Sequence, residues 1–240
     1  MKFEVNRITW QDKRGALKTP FTAAVICDVH DGQWEHIITH LQGVDAILVV
    51  GDLTNRHSRH MPRQAEAFLK ALVQSAPTWY AIGNHELKMS HAKEWREMME
   101  RSGAHVLDNS VERIRDDIWL GGLSSQRKPK DNNTAVCQLS EKDGFRLLLC
   151  HHPEYFKRLV EPYEIDLTLS GHAHGGQFRF FNQGVYSPGQ GIFPRLTSGF
   201  YFDRRLLVSR GTGTPGPVPR LWNSCELILL TLEPNQDRIL

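Results

Sequence analysis

Histidines recur in this sequence where apolar runs stop. Gly171-His172-Ala173-His174-Gly175-Gly176-Gln177 follows the run Ile165–Leu169, which reads as a short buried strand giving way to a glycine-rich turn. In extended backbone, side chains at i and i+2 fall on one side, so both imidazoles can address one point. The glycines let the chain turn sharply and lie close to whatever is held there. Four more apolar runs end in metal-ligand residue types: Asp28 with His30, Asp52, Asn84 with His85, and His151. Any one of these reads equally well as a solvated loop residue, but five at strand ends argue for one shared site.

Carboxylate, imidazole and amide oxygen, with no thiolate, suit Mn, Fe or Zn better than a soft metal. The donors exceed what one ion with open positions needs and suit two divalent ions sharing a carboxylate. Two ions about 3.5–4 Å apart form a clamp for in-line displacement at phosphorus. A hydroxide bridging them is a nucleophile at neutral pH, because coordination lowers the pKa of water.

The elements that must position these residues follow a rhythm. The runs Phe21–Cys27, Ala46–Val50 and Thr78–Ile82 read as buried strands, each followed by a polar turn. Helical segments follow at 33–41, 62–74 and 92–102; the second places Ala65, Phe68, Leu69 and Leu72 on one face. Strand, turn, helix three times over predicts an α/β chain with a parallel sheet and helices on its faces. In open sheets of this kind ligands bind at the carboxyl ends of the strands, where these motifs lie. Residues 3–10 read as an edge strand, and 105–107, 111–114 and 118–123 as short strands with little room for helices. Phe145–Cys150 is another buried strand, the segment 134–139 fits helix or strand, and 124–133 reads as a loop. Further strand-like pieces fall at 178–181, 199–202, 206–209 and 226–232, with Gly/Pro-rich loops at 187–194 and 211–219. No linker splits the chain, so residues 1–240 are expected to form one domain.

Composition narrows the field. The 240 residues are 40% hydrophobic and 23% charged, with a formal net charge of +2, too mild to imply nucleic acid or an anionic membrane. Cys27, Cys137, Cys150 and Cys225 lack CxxC spacing and read as reduced thiols. Without an apolar leader or a membrane-length run, the expectation is a cytoplasmic protein, with peripheral membrane contact left open.

The ordered set DxH, GD, GNHE, HxP and GHxH, from Asp28 to His174, resembles the calcineurin-like metallophosphoesterases. The resemblance implies a two-layered β-sandwich flanked by helices. It implies two divalent metal ions, one held by Asp28, His30 and His174 and the other by Asn84, His151 and His172, with Asp52 bridging. His85 would act on the transition state or the leaving oxygen, and His152 would stand behind His151. The expected activity is hydrolysis of a phosphodiester or pyrophosphate in a small phosphate-ester or nucleotide-type substrate. Alternatives are a phosphomonoesterase and a non-catalytic scaffold. Where the protein-phosphatase branch reads GDxxDRG, this chain has Gly51-Asp52-Leu53-Thr54-Asn55-Arg56-His57, so Asn55 replaces the carboxylate expected to orient His85. Arg56 is a candidate for a phosphoryl oxygen, with His57, Arg59 and His60 as weaker ones. The tail around Arg210 and Arg220 is similar to that of a bacterial phosphodiesterase branch carrying GHxHGGQ, which makes both arginines candidate substrate contacts.

Overall fold

Alternation within the apolar runs decides which way each strand faces. In Ala46–Val50, Ala46, Leu48 and Val50 point to one apolar layer and Ile47 and Val49 to another, and all five are fully buried. Such a strand must be covered on both faces. In the computed structural model, which describes residues 2–57, 63–125, 133–181, 183–214 and 219–235, it is.

The first sheet contains β1 (Phe3–Gln11), β2 (Phe21–Ile26), β3 (Ala46–Val50), β4 (Thr78–Ala81) and β5 (His105–Leu107). The second contains β6 (Ser110–Arg115), β7 (Ile118–Leu123), β8 (Phe145–Cys150) and β9 (Leu167–Ser170). Two small antiparallel ladders follow: β10 (Arg179–Phe180) with β11 (Gln183–Gly184), and β12 (Tyr186–Ser187) with β13 (Gly191–Ile192). The chain then adds β14 (Gly199–Tyr201) and β15 (Leu206–Val208) to the second sheet and β16 (Cys225–Glu233) to the first. The sheet orders are β1-β16-β2-β3-β4-β5 and β14-β15-β9-β8-β7-β6, each of six strands. Strands β2 to β5 run parallel, as do β7, β8, β9 and β15.

One apolar layer lies between the sheets and includes Val25, Leu48, Trp79, Leu147, Leu149 and Leu169. The outer face of the first sheet is covered by α1 (Glu35–Ile38), α2 (Arg63–Ser75), the short α3 (Asn84–Lys88) and α4 (Ala92–Arg101), which bury Phe68, Leu69, Trp95 and Met99. The outer face of the second packs on α5 (Thr134–Ser140) and the turns at 153–160 through Val136, Leu139, Phe156 and Leu159. This is the expected two-layered α/β sandwich flanked by helices.

Segment 134–140 is helical, and the expected helix at 33–41 shrinks to the four residues Glu35–Ile38. Phe3–Gln11 is the expected edge strand, but its partner is β16, which enters between it and β2. Among the described residues no helix is long and apolar enough to cross a membrane.

Candidate metal centre

The turns that leave β2, β3, β8 and β9 are sewn together by backbone hydrogen bonds. Asp28 N donates to Gly51 O at 3.1 Å, Val29 N to Asp52 O at 2.9 Å, and Gly171 N to His151 O at 3.1 Å. Thr212 N and Gly213 N donate to the carbonyls of Cys27 and Asp28, both at 2.9 Å, tying the tail loop to the same edge. Five of the candidate ligands sit in left-handed backbone: Asp28 (φ 55°), His30 (53°), Asp52 (56°), His172 (64°) and His174 (48°). Bulky side chains rarely adopt that region, and it costs on the order of 1–3 kcal/mol per residue when imposed. Packing allows no relief at Gly171, where an added Cβ would stand 2.5 Å from Asp28 Oδ2.

The side chains converge. His174 Nε2 lies 3.6 Å from Asp28 Oδ1 and His30 Nε2 lies 3.8 Å from it. His151 Nε2 lies 3.1 Å from Asp52 Oδ2, and His85 Nε2 lies 3.9 Å from that oxygen. Among the described residues four groups of three have ligand-type atoms within 4.8 Å of one another: Asp28 with His30 and His174, Asp52 with His151 and His172, His30 with Asp52 and His85, and His152 with Glu154 and His172. Asn84, on the first turn of α3, is buried beside them. His30 Nε2, Asp52 Oδ2, Asn84 Oδ1, His151 Nε2 and His172 Nδ1 are all buried and make no hydrogen bond. An unsatisfied buried polar atom is expensive, and the Asp52 oxygen with four more such atoms about it describes a site shaped for something electropositive.

The surrounding hydrogen bonds choose which atoms are offered. His151 Nδ1 lies 2.6 Å from Val50 O, an acceptor only, so Nδ1 carries a proton and Nε2 is the nitrogen turned to Asp52. Asp28 accepts from His172 N at 2.9 Å, and Asp52 accepts from His85 N at 2.9 Å. Burial lifts the Asp28 carboxyl to about 6. Burial disfavours the His151 cation, yet Asp52 beside it lifts that imidazole to about 10. Burial lowers His30 to about 3 and holds His172 and His174 well below the usual histidine range, so these three are neutral donors.

His85 is oriented differently from expectation. Asn55 does not reach it: its Nδ2 donates to His30 O at 2.9 Å and its backbone N–H donates to Asp31 Oδ2 at 3.0 Å. The Arg56 backbone N–H instead donates to His85 Nδ1 at 3.2 Å. A backbone amide only donates, so His85 holds its proton on Nε2, on the side of Asp52. Burial lowers its pKa against the opposing pull of Asp52 and keeps the ring neutral.

The arginines separate. Arg56 is exposed beside His85, with its Nε 3.0 Å from His57 Nε2. Arg210 is engaged by Glu4 at 2.9 Å and Glu226 at 3.0 Å. Arg220 is buried, donates to the carbonyls of Arg210 and Gly213, and lies 3.4 Å from His174 Nδ1. Arg59 and His60 fall outside the described residues.

Two carboxylates were missed by sequence reasoning. Glu86, the last residue of GNHE, accepts from Asp52 N and Gly83 N, both at 3.0 Å, and from Tyr80 Oη at 2.8 Å, fixing the turn that carries Asp52. Its place three residues past the helix N-cap was the available signal. Glu154 Oε1 lies 3.0 Å from His152 Nδ1 and 3.9 Å from His172 Nε2, standing behind both rings. Nothing in the sequence marked it.

Residues 21–176 match the calcineurin-like phosphoesterase (Metallophos) family. The chain belongs to that family. A protein named as a metallophosphoesterase in Caenorhabditis elegans is 27% identical over 214 residues, 81% of this calcineurin-like chain but only 43% of the nematode protein. YpbG of Bacillus subtilis is 26% identical over 222 residues, 90% of this chain and 82% of YpbG. The phosphodiesterase YaeI of Escherichia coli is 29% identical over 165 residues, 61% of this chain and 55% of YaeI.

Proposed function

We propose that this calcineurin-like chain is a dinuclear metal-dependent phosphoesterase that hydrolyses a phosphodiester or pyrophosphate bond. Asp28, His30 and His174 would hold one divalent cation, Asn84, His151 and His172 the other, and Asp52 would be shared. The observation that carries this reading is the ring of buried, unbonded donor atoms around Asp52 Oδ2. Two buried carboxylates beside the neutral imidazoles of His30, His172 and His174 make a field that favours added positive charge. Oxygen and nitrogen donors without thiolate fit Mn, Fe or Zn. When bound, two such ions supply Lewis-acid stabilisation of phosphoryl charge and lower the pKa of water.

The chain's own residues do the rest. His85 presents Nε2–H as a neutral hydrogen-bond donor, since Arg56 N–H occupies its other nitrogen. As a neutral ring it would therefore give a hydrogen bond to the leaving oxygen. Arg56 is the remaining exposed cation suited to a phosphoryl oxygen. Arg210 and Arg220 would brace the tail loop instead of touching substrate, because their guanidiniums are committed to carboxylates and carbonyls. Preference for a diester draws on YaeI, named a phosphodiesterase; a small phosphomonoester is the second reading. Four free cysteines support a reducing, cytoplasmic setting.

Metal titration and hydrolysis of bis-p-nitrophenyl phosphate test this together. The parent is expected to bind about two Mn ions and turn over. Asp52→Asn should lose both metal and rate, whereas His85→Ala should keep metal and lose rate. An Asp52→Asn variant that retains full turnover would remove the shared carboxylate from the mechanism.

A further inference from the structure

Among the described residues, the strongly exposed large apolar side chains are confined to two stretches. Phe180, Phe181, Tyr186, Ile192 and Phe193 occupy the paired ladders β10–β13, and Leu221 with Trp222 follows at the tail. Phe181 is 89% exposed, Trp222 82% and Phe193 66%. Scattered exposed leucines are ordinary, but a concentration of aromatics at one place marks an interaction surface.

The stretches belong to one face. Arg179 N donates to Leu221 O at 3.1 Å, Phe193 N donates to Val185 O at 2.9 Å, and Gln183 Nε2 donates to Pro194 O at 3.0 Å. Phe181, Phe193 and Trp222 each stand at φ 51–52°, left-handed backbone that a bulky residue normally avoids. Three separate turns thus hold an aromatic ring outward at their tips. Rings held out singly at turn tips can each enter the headgroup boundary of a bilayer. Charge agrees: in a chain with 27 acidic residues, the stretch 167–202 contains none and exposes Arg195, whereas Arg179 is buried and donates to Gly175 O and Thr197 Oγ1.

We propose that the face carrying Phe181, Phe193 and Trp222 docks on an anionic phospholipid bilayer, with these rings entering the headgroup region. The face is coupled to the metal centre. Val185 N donates to Gly176 O at 3.1 Å, and Asn223, next to Trp222, donates to His174 O at 2.7 Å. Docking there would set the candidate centre at the lipid boundary. The inference stands apart from the proposed chemistry, since binding to a vesicle requires neither metal nor turnover.

The test is co-sedimentation of the purified chain with vesicles of phosphatidylcholine alone or with phosphatidylglycerol added. The parent is expected to pellet with the phosphatidylglycerol vesicles and much less with phosphatidylcholine. A triple variant, Phe181→Asn, Phe193→Asn and Trp222→Asn, should lower the partition coefficient about tenfold or more. Asparagine tolerates left-handed backbone, so circular dichroism and Mn uptake should match the parent. A parent that stays in the supernatant with both vesicles overturns the proposal, as does a folded triple variant that still pellets. Concentration-dependent dimers in sedimentation velocity that the triple variant abolishes, without vesicle binding, would assign the face to a second copy instead.

Discussion

Removing the Glu86 carboxylate should unfasten the turn that carries Asp52. The group is buried, and burial with the Asp52 charge nearby lifts its pKa to about 7. It takes three firm hydrogen bonds, from Asp52 N, Gly83 N and Tyr80 Oη, and a long one from Thr54 N at 3.4 Å. Glu86→Ala leaves three buried donors without an acceptor; at about 1–3 kcal/mol each, with partial relaxation, the loss is about 3–6 kcal/mol. Glu86→Gln keeps a carbonyl for the two amide donors and offers its NH2 to the Tyr80 oxygen, so its loss should be about 1–2 kcal/mol. Urea unfolding of EDTA-treated protein measures both free of metal binding, with an unchanged slope showing that the unfolded state is not the cause. Mn affinity of the Ala variant should fall as well, because the Asp52 turn loses two of its anchors. If Ala and Gln variants unfold within about 0.5 kcal/mol of each other, the carboxylate does not hold this turn.

Two further outcomes follow from the same geometry. Gly171→Ala would put a methyl 2.5 Å from Asp28 Oδ2 and 2.8 Å from Cys27 Sγ, so Asp28 must move. Mn affinity should drop about 10–100-fold, the range for disturbing a ligand's support, and a calorimetric titration within about twofold of the parent would refute it. Lys2 and then Arg210 lower the Glu4 carboxyl from 4.5 to about 2. Its stabilising contribution is therefore present above pH 4.5 and lost as pH falls from there toward 2. Glu4→Gln should flatten that limb of an acid-unfolding curve; an unaltered limb would show that the pairing contributes nothing to stability.

Much of the candidate centre was legible because its residues follow apolar runs whose burial is a local property. Asp28, Asp52, His151 and His172 needed only the rule that strand ends in parallel sheets gather at one edge. The insertion of β16 between β1 and β2 was not legible, since pairing across most of the chain leaves no local trace. Nor was the exchange at His85, where a backbone N–H of Arg56 replaces the side chain expected from Asn55. Side-chain types record neither backbone amides nor a carboxylate such as Glu154 brought in from behind. Phe180 and Phe181 read as ordinary strand residues and Phe193 as part of a Gly/Pro-rich loop, because hydrophobicity alone does not tell an inward face from an outward one.

The place of β16 bears on how the protein is made. On the ribosome β2 (Phe21–Ile26) emerges long before Cys225–Glu233, the strand that hydrogen-bonds its other edge. Until then that edge stands open, an invitation to pair with a neighbouring nascent chain. The Thr212–Gly213 segment that clasps Cys27 and Asp28 is equally late. The nascent polypeptide therefore cannot complete this edge of the site until both later segments have emerged.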